Sequence, residues 1–405
     1  KLKTEVTIAM KDFAGKFAVI TGGGTGMGRE LARQLVAEGC NVAMCDVSME
    51  AMTETKQLCE AEKLPQGLRV TTHVADVSIE SHLQRFRDEL IEQQATDKIH
   101  LLFNNAGIGG GGSLFTNTRE QWERTFNICW GGVYLGVRTF LPLMMKADEA
   151  HIVNTSSVNG FWASVGLGVP HTAYSAAKFA VKGFTEALMT DLRLNAPHIK
   201  CSVVMPGHIG TSIVSNSRKI QSGTESEELS PNEILATRQR LNGMGIDTAP
   251  MSDDDIQKIA LDRARNFLEQ APTTAAAAAK TILDGVKAER WRILVGDDAH
   301  KLDDAGRTQT WPAGWEGTVD NEDVIKAATA ATKDGDKEIP AAAELVGKAA
   351  KPAAEVEIPA DYEDYNAADA VNLAHQLGAG VDVKTKADAL KFIAAEAAKR
   401  NPPLV

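Results

Sequence analysis

Seven short apolar runs, separated along the chain by segments with helical spacing, are the feature that most constrains the fold. Within each run the residues do not alternate between apolar and polar, as a half-exposed strand requires. Strands that are apolar throughout and alternate with helices are typical of a parallel sheet covered by helices on both faces. The runs are residues 17–20, 41–45, 69–74, 99–103, 151–154, 200–205 and 293–296.

A glycine-rich turn follows the first run, and Gly22, Gly26 and Gly28 lie between that run and a helical segment. Glycines lack a Cβ, so such a turn can approach a pyrophosphate closely, and the helix that follows directs its free N–H groups at the phosphates. An ordinary glycine-rich strand–helix turn is the alternative. Asp46, at the end of the second run, favours a dinucleotide site.

Asp46 also predicts which dinucleotide binds. A carboxylate at this strand end accepts hydrogen bonds from both ribose hydroxyls of NAD and repels the 2′-phosphate of NADP. Residues 23–27 contain no arginine or lysine, and we expect Arg29 to face elsewhere. The sequence therefore predicts NAD, with a simple capping role for Asp46 as the alternative.

Two further strand ends carry residues that suit the cofactor. Asp76 and Val77 follow the third run, where they would contact adenine through a hydrogen bond and by packing. Asn105, Ala106 and Gly107 follow the fourth run and provide small residues where the backbone must pass the cofactor.

Tyr174 and Lys178 are the predicted catalytic pair, since residues four apart lie on one face of a helix. A free phenol ionises only near pH 10. A nearby ammonium and an oxidised nicotinamide lower that pKa, so Tyr174 can exchange a proton with an alcohol or ketone. Ser157 would orient the substrate oxygen, and Lys178 would also hold the nicotinamide ribose. The alternative is a core tyrosine beside a solvated lysine.

As a set, these motifs resemble the short-chain dehydrogenase/reductase family over about residues 11–312. The family implies a Rossmann-like, doubly wound parallel sheet of seven strands, an NAD-dependent alcohol dehydrogenase or ketone reductase, and usually a homotetramer or homodimer. It also implies Ser157, Tyr174 and Lys178 as the catalytic residues; Ser157 is preferred to Ser156 because it directly precedes Val158. The matching segments are TGGGTGMG (21–28), Asp46, NNAG (104–107), FNICWGG (126–132), SS (156–157), YSAAK (174–178) and PGHIGT (206–211).

The resemblance assigns further roles. Asn127 would bind a water that relays protons to Lys178, while Pro206, Gly207 and Thr211 would contact the nicotinamide side. The complete predicted cofactor set is Thr21, Gly22, Gly26, Met27, Gly28, Asp46, Asp76, Val77, Asn105, Ala106, Gly107, Tyr174, Lys178, Pro206, Gly207, Ile209 and Thr211.

Substrate preference is predicted from two segments. The gap between Ser157 and Tyr174 is longer than is usual in the family, and the family's variable substrate lid corresponds to about residues 212–251. Phe161, Trp162, Leu167 and Met205 suggest an apolar pocket for a fairly apolar secondary alcohol or ketone. The alternative is that these residues pack the lid onto the core or onto another subunit.

The chain is expected to hold two parts, a dehydrogenase domain over residues 11–315 and an alanine-rich helical extension over residues 316–405. Residues 366–377 and 385–399 have the spacing of helices with thin apolar faces. The family pattern has no counterpart for this extension. A tail that is only partly folded is the alternative.

Bulk properties exclude some partners. A net charge of −11 argues against nucleic acid or an anionic membrane as the main partner. The longest apolar runs are too short to span a bilayer. The five cysteines are scattered without metal-ligand spacing, which predicts reduced thiols, a cytoplasmic protein and no metal site. An epimerase or dehydratase that retains NAD, and a nucleotide-binding scaffold, are the competing functions.

Overall fold

The computed structural model describes residue 10 and residues 12–61, 67–110, 112–163, 170–224, 226 and 228–308, and then residues 370, 373–374, 377 and 385–400. The chain divides into two compact units, Lys1–Asp320 and Asn321–Val405. The predicted boundary at residues 315–316 lies outside the described residues and stays a prediction. Within the described part, no helix is long and apolar enough to cross a lipid bilayer.

Seven strands of the first unit pair in parallel in a single sheet, as predicted. They are β1 (Phe17–Thr21), β2 (Asn41–Asp46), β3 (Val70–Val74), β4 (Leu101–Asn104), β5 (Ala150–Thr155), β6 (Ile199–Pro206) and β9 (Arg292–Val295). Their order across the sheet is β3-β2-β1-β4-β5-β6-β9, and two short strands, β7 (Ile209–Gly210) and β8 (Thr273–Thr274), pair separately. The order reverses between β1 and β4, which leaves a crevice at their carboxyl ends where such sheets bind ligands.

Helices alternate with the strands. They are α1 (Gly26–Ala37), α2 (Met49–Ala61), α3 (Glu80–Gln94), α4 (Arg119–Phe126), α5 (Gly132–Met144), α6 (Thr172–Asn195), α7 (Ile213–Ser222), α8 (Pro231–Gly243), α9 (Asp253–Glu269), α10 (Ala275–Lys287) and α11 (Asp297–Thr308). A π-helix, Asn127–Gly131, joins α4 to α5, and a short 3₁₀ helix spans Val158–Gly160.

Both faces of the sheet are buried, which explains why its strands are apolar throughout. Ala18 and Ile20 of β1 belong to the core cluster that contains residues of α1 and α10. Val19, between them, belongs to the cluster on the opposite face, with Phe86 of α3 and Phe140 of α5. Successive side chains of a strand point to opposite faces, so a sheet covered on both sides selects apolar residues at every position.

The second unit has a small core of its own. Its described helix, α12 (Lys386–Arg400), matches the helix predicted over residues 385–399. Residues 370, 373 and 374 are also helical and fall within the other predicted segment, whose remaining residues are only partly described. The buried residues of this core are Ala370, Leu373, Ala374, Leu377, Ala389 and Ile393.

The buried histidine His151, in β5, is expected to make the free energy of unfolding depend on pH. The Nε2 of His151 lies 2.7 Å from the Oγ of Ser202, which donates a 2.6 Å hydrogen bond to the carbonyl of Arg290. Burial, and after it the charge of Lys200, lower the pKa of His151 to about 3. The folded state therefore keeps a neutral imidazole that the unfolded chain protonates near pH 6.5.

Stability is expected to be greatest above pH 6.5 and to fall as the pH drops toward the folded pKa, by about 1.4 kcal/mol per pH unit from this group. The measurement is urea unfolding of the wild type and of His151→Gln at a series of pH values. The free energy of unfolding of His151→Gln should fall less steeply with decreasing pH than that of the wild type. His300→Gln, at an exposed histidine, should show the same pH dependence as the wild type. Parallel pH curves for wild type and His151→Gln would contradict the assignment.

Candidate active site

A cleft occupies the crevice at the carboxyl ends of the strands. Ten predicted cofactor residues line it, namely Gly22, Gly26, Met27, Asp46, Asp76, Val77, Asn105, Ala106, Gly107 and Thr211. They come from the ends of β1 to β4 and from the segment after β6. These residues are far apart in sequence, and the parallel arrangement of the strands brings them to one edge of the sheet.

The glycine turn has the close backbone packing that a pyrophosphate site needs. Gly22 has a φ of +68°, and a Cβ there would lie 2.8 Å from the Cα of Ala106. A Cβ at Gly28 would overlap the carbonyl oxygen of Gly22. Thr21, at the end of β1, also fixes the segment that follows β4. Its Oγ1 accepts from the backbone N–H groups of Asn105 (3.0 Å) and Ala106 (3.1 Å). The residues present thus fit a dinucleotide.

Asp46 lines this cleft, and hydrogen bonds from two backbone N–H groups hold its carboxylate in place. One oxygen accepts from the N–H of Gly24 at 3.0 Å, and the other accepts from the N–H of Ser48 at 3.1 Å. Arg29 is turned away from it. The guanidinium of Arg29 bonds the carbonyl of Gly24 and forms a 2.6 Å ion pair with Glu54.

Helix α4, the π-helix that follows it and helix α7 supply cleft residues that the sequence reasoning missed. They are Arg124, Ile128, Ile213, Asn216 and Ile220. No local motif marks them, because only the path of the lid helix over the cleft brings them there. Asn216 donates to the Oγ1 of Thr25 at 3.1 Å, and Ser217 accepts from the N–H of Gly109 at 2.7 Å. These two bonds tie α7 to both walls of the cleft.

The three predicted catalytic residues meet beside this cleft. Lys178 is buried, its Nζ donates to the carbonyl of Thr155 at 2.8 Å, and it lies 5.4 Å from the ring centre of Tyr174. Ser157 is hydrogen-bonded to the Tyr174 hydroxyl. Ser156 instead donates to the backbone carbonyl of Lys178 at 2.7 Å, away from the phenol.

Burial acts in opposite directions on the two titratable groups. It raises the pKa of Tyr174, while the hydrogen bond from Ser157 lowers it. It also lowers the pKa of Lys178. Burial disfavours a charge on either side chain, so a positively charged ligand beside Tyr174 would have a large effect on its ionisation.

Asn127 is exposed, unlike the buried Ser157 and Lys178. It begins the π-helix and its side chain is exposed, whereas Cys129 is fully buried. The thiol of Cys129 accepts from the N–H of Ile108 at 3.4 Å, and a Cβ placed on Gly107 would lie 3.5 Å from the Nζ of Lys178 and 3.6 Å from the Sγ of Cys129. A π-helix places successive residues differently from an α-helix, and no pattern in the sequence predicts one here.

The segment after β6 contacts the carboxylate of Asp298, at the start of α11. Gly207 leaves no room for a Cβ beside the carboxylate of Asp298, and the N–H of His208 donates to that carboxylate at 2.6 Å. Pro206 ends β6, and Ile209 is buried in β7. Of the predicted residues here, Thr211 lines the cleft.

The described residues that suggested an apolar pocket pack in the protein core. Phe161 and Trp162 pack against Val158 and against Leu302 of α11. Met205 is fully buried in β6, and Leu167 lies outside the described residues. For the described aromatic residues, the structure matches the alternative of packing onto the core. The predicted lid contains α7 and α8, and its Met251 packs on a separate small cluster that includes Ile256.

Comparison with known proteins agrees with this geometry. A family model described as short chain dehydrogenase matches residues 16–222. The putative oxidoreductase SadH of Mycobacterium tuberculosis is 31% identical over 295 residues, which cover 73% of this chain and 91% of that protein. Levodione reductase of Leifsonia aquatica is 34% identical over 208 residues, which cover 51% of this chain and 74% of that enzyme.

A solved structure gives the same result. A short chain dehydrogenase/reductase from Burkholderia phymatum in complex with NAD matches with a TM-score of 0.58 and 28% identity, covering 75% of this chain and 98% of that one. The fold and the cleft define a dinucleotide-binding oxidoreductase. The chain belongs to the short-chain dehydrogenase/reductase family, which confirms the family and the enzyme class inferred from the sequence.

Proposed function

We propose that the protein interconverts a secondary alcohol and a ketone with NAD as the hydride carrier. The observation that carries the proposal is the convergence of Ser157, Tyr174 and Lys178 beside a cleft whose glycine turn fits a dinucleotide. Relatives named for such chemistry support it, among them meso-2,3-butanediol dehydrogenase of Serratia marcescens, 34% identical over 179 residues. The preferred alcohol, and the predicted homodimer or homotetramer in the cytoplasm, stay predictions.

Each of the three residues has one task in this reaction. The hydroxyl of Ser157 holds the substrate oxygen beside the phenol of Tyr174. Tyr174 takes the proton of the alcohol during oxidation and returns it to the ketone oxygen during reduction. Lys178 stabilises the phenolate through its nearby positive charge. Gly22, Gly26 and Asp46 would hold the dinucleotide, which would supply the hydride acceptor for the alcohol and, when reduced, the hydride donor for the ketone. The water-relay role of Asn127 stays a prediction.

The test is nicotinamide absorbance in the near ultraviolet, followed with secondary alcohols plus NAD and with ketones plus NADH. Turnover that oxidises one substrate for each NAD reduced supports the proposal. An enzyme that binds NADH, converts substrate and leaves the cofactor spectrum unchanged would instead be an epimerase or dehydratase. Cofactor binding without any conversion would favour the scaffold.

Asp46 is expected to make NAD the preferred cofactor by at least about 100-fold in kcat/KM. The reason is that its carboxylate bonds the ribose hydroxyls, each such bond contributing about 1.5–3 kcal/mol, and repels a 2′-phosphate. The kcat/KM with NAD divided by the kcat/KM with NADP should fall by about 10- to 100-fold in Asp46→Ser. Asp76→Asn, at the adenine end, should change both cofactors alike. A wild-type preference for NADP would rule out this role.

A further inference from the structure

Arg124 of α4 is the only basic side chain among the described residues that line the cofactor cleft. The acidic side chains of the same lining are Asp46 and Asp76. A dinucleotide carries its negative charge on the pyrophosphate, to which the glycine turn offers backbone N–H groups and the dipole of α1. Within this cleft, Arg124 is therefore the side chain that can bring a full positive charge to the phosphates.

The guanidinium of Arg124 is available for a ligand. Among the described residues, no carboxylate lies within ion-pair distance of it, whereas Arg119 on the same helix pairs with Glu123 at 2.6 Å. An unpaired, exposed arginine is ordinary on a protein surface. Arg124 differs from such a residue because its side chain lines a cleft that fits a dinucleotide.

The two carboxylates of the cleft are bonded within their own segments. Asp46 is held by the two backbone N–H groups described above. The Oδ1 of Asp76 accepts from the N–H of Ser78 at 2.9 Å and from its hydroxyl at 2.6 Å. Asp46 ends β2 and Asp76 follows β3, where the ribose and the adenine are expected. Arg124 is thus left for a different part of the ligand.

Helix α7 connects the glycine turn to α4 across the mouth of the cleft. Its Asn216 donates to the Oγ1 of Thr25 at 3.1 Å, and its Gln221 donates to the Oγ1 of Thr125 at 2.8 Å. Five residues of an α-helix rise by about 7.5 Å, so about one and a half helical turns bridge the two walls. Because Thr125 directly follows Arg124, this width suits a long side chain that reaches toward phosphates on the glycine turn.

We propose that Arg124 binds the pyrophosphate of the cofactor from the α4 side of the cleft, opposite the N–H groups of the glycine turn. The inference rests on the proposed function, because it requires a dinucleotide in this cleft. A guanidinium suits this role, since its planar donors match phosphate oxygens and stay charged at physiological pH. The phosphates are then held from two sides, by backbone N–H groups on one and by a charged side chain on the other.

The test measures binding to the full-length protein without turnover. NADH is titrated directly, and ADP-ribose and adenosine are titrated in competition with NADH; ADP-ribose keeps the pyrophosphate, whereas adenosine lacks it. Arg124→Gln should raise the dissociation constants of NADH and ADP-ribose by about tenfold and leave that of adenosine unchanged. Arg124→Lys keeps the charge without the planar fork of donors, so its dissociation constants should lie between those of the wild type and Arg124→Gln.

Ionic strength gives a second, independent measurement. The dissociation constant of NADH should rise with salt more steeply in the wild type than in Arg124→Gln, because the variant lacks the ion pair that salt screens. Arg119→Gln is the matched control, since it makes the same change on the same helix at an arginine already paired with Glu123. It should keep the wild-type dissociation constants and the wild-type salt dependence.

Two results would overturn the inference. Equal weakening of NADH, ADP-ribose and adenosine by Arg124→Gln, with the salt dependence unchanged, would indicate a contact with adenine or a structural role. Wild-type dissociation constants and salt dependence in that variant would show that Arg124 does not bind the cofactor. In both cases NADH still binds the wild type, so the proposed function stands. A wild-type protein that binds no NADH would instead refute the proposed function, and the inference with it.

Discussion

Replacing Tyr174 with phenylalanine is expected to lower kcat by about 10²- to 10⁴-fold, which is the usual contribution of a positioned general acid or base. The change removes only the hydroxyl, so the ring keeps its packing against the core and its place above Lys178. The measurement is steady-state ketone reduction, with the NADH dissociation constant and urea unfolding recorded on the same preparations. NADH affinity should stay within about twofold of the wild type, since the loss is specific to proton transfer.

Tyr134→Phe is the matched control for that experiment. Tyr134 lies on α5, is partly exposed and packs beside Trp130 and Phe184, away from the cleft. It should keep wild-type kcat. Near-normal turnover in Tyr174→Phe would remove Tyr174 from the chemistry. Joint loss of folding and NADH binding in that variant would make Tyr174 a core residue.

The second large effect is expected at Gly28. A methyl group there would overlap the carbonyl oxygen of Gly22 and would lie 2.8 Å from the side-chain amide nitrogen of Asn105. Gly28→Ala should therefore destabilise the protein by about 2–3 kcal/mol and weaken NADH binding by about tenfold or more, because the turn must shift away from its neighbours. Urea unfolding and NADH titration measure the two effects separately.

Gly183→Ala is the control for Gly28→Ala, because the same substitution is expected to stabilise the protein there. Gly183 lies in α6, and a Cβ there would meet no atom within 4 Å. Alanine should stabilise this exposed helical position by about 0.5–1 kcal/mol and leave NADH binding unchanged. Equal behaviour of the two variants would show that the glycine turn is not close-packed as described.

The position of the cleft could be predicted because its signals are local. Gly22 follows the first apolar run and Asp46 ends the second, and strands of a parallel sheet end at one edge. The order of the motifs along the chain therefore implied their meeting in space. The pair Tyr174 and Lys178 is local in the same way, because helical geometry alone puts positions four apart on one face.

The substrate side could not be predicted in this way. Phe161 and Trp162 look like pocket residues in the sequence, but α11, more than a hundred residues later, packs on them. Arg240 looks like an ordinary surface charge in the sequence, but its Nε is buried without a hydrogen-bond partner among the described residues, whereas Arg238, two positions before it, pairs with Asp253. Whether an arginine finds a carboxylate depends on which helix lies opposite it.

The sequence by itself determined the seven-stranded parallel sheet, the position of the cleft and the proximity of Tyr174 to Lys178, because each follows from periodicity or from the end of a strand. Only the tertiary structure decided how α7 crosses the cleft, that Cys129 and not Asn127 is buried beside Lys178, and that the Nε of Arg240 is buried without a hydrogen-bond partner among the described residues. Those features depend on the angles at which distant helices pack. Local patterns fix the type and ends of an element, whereas its neighbours are set by contacts over the whole chain.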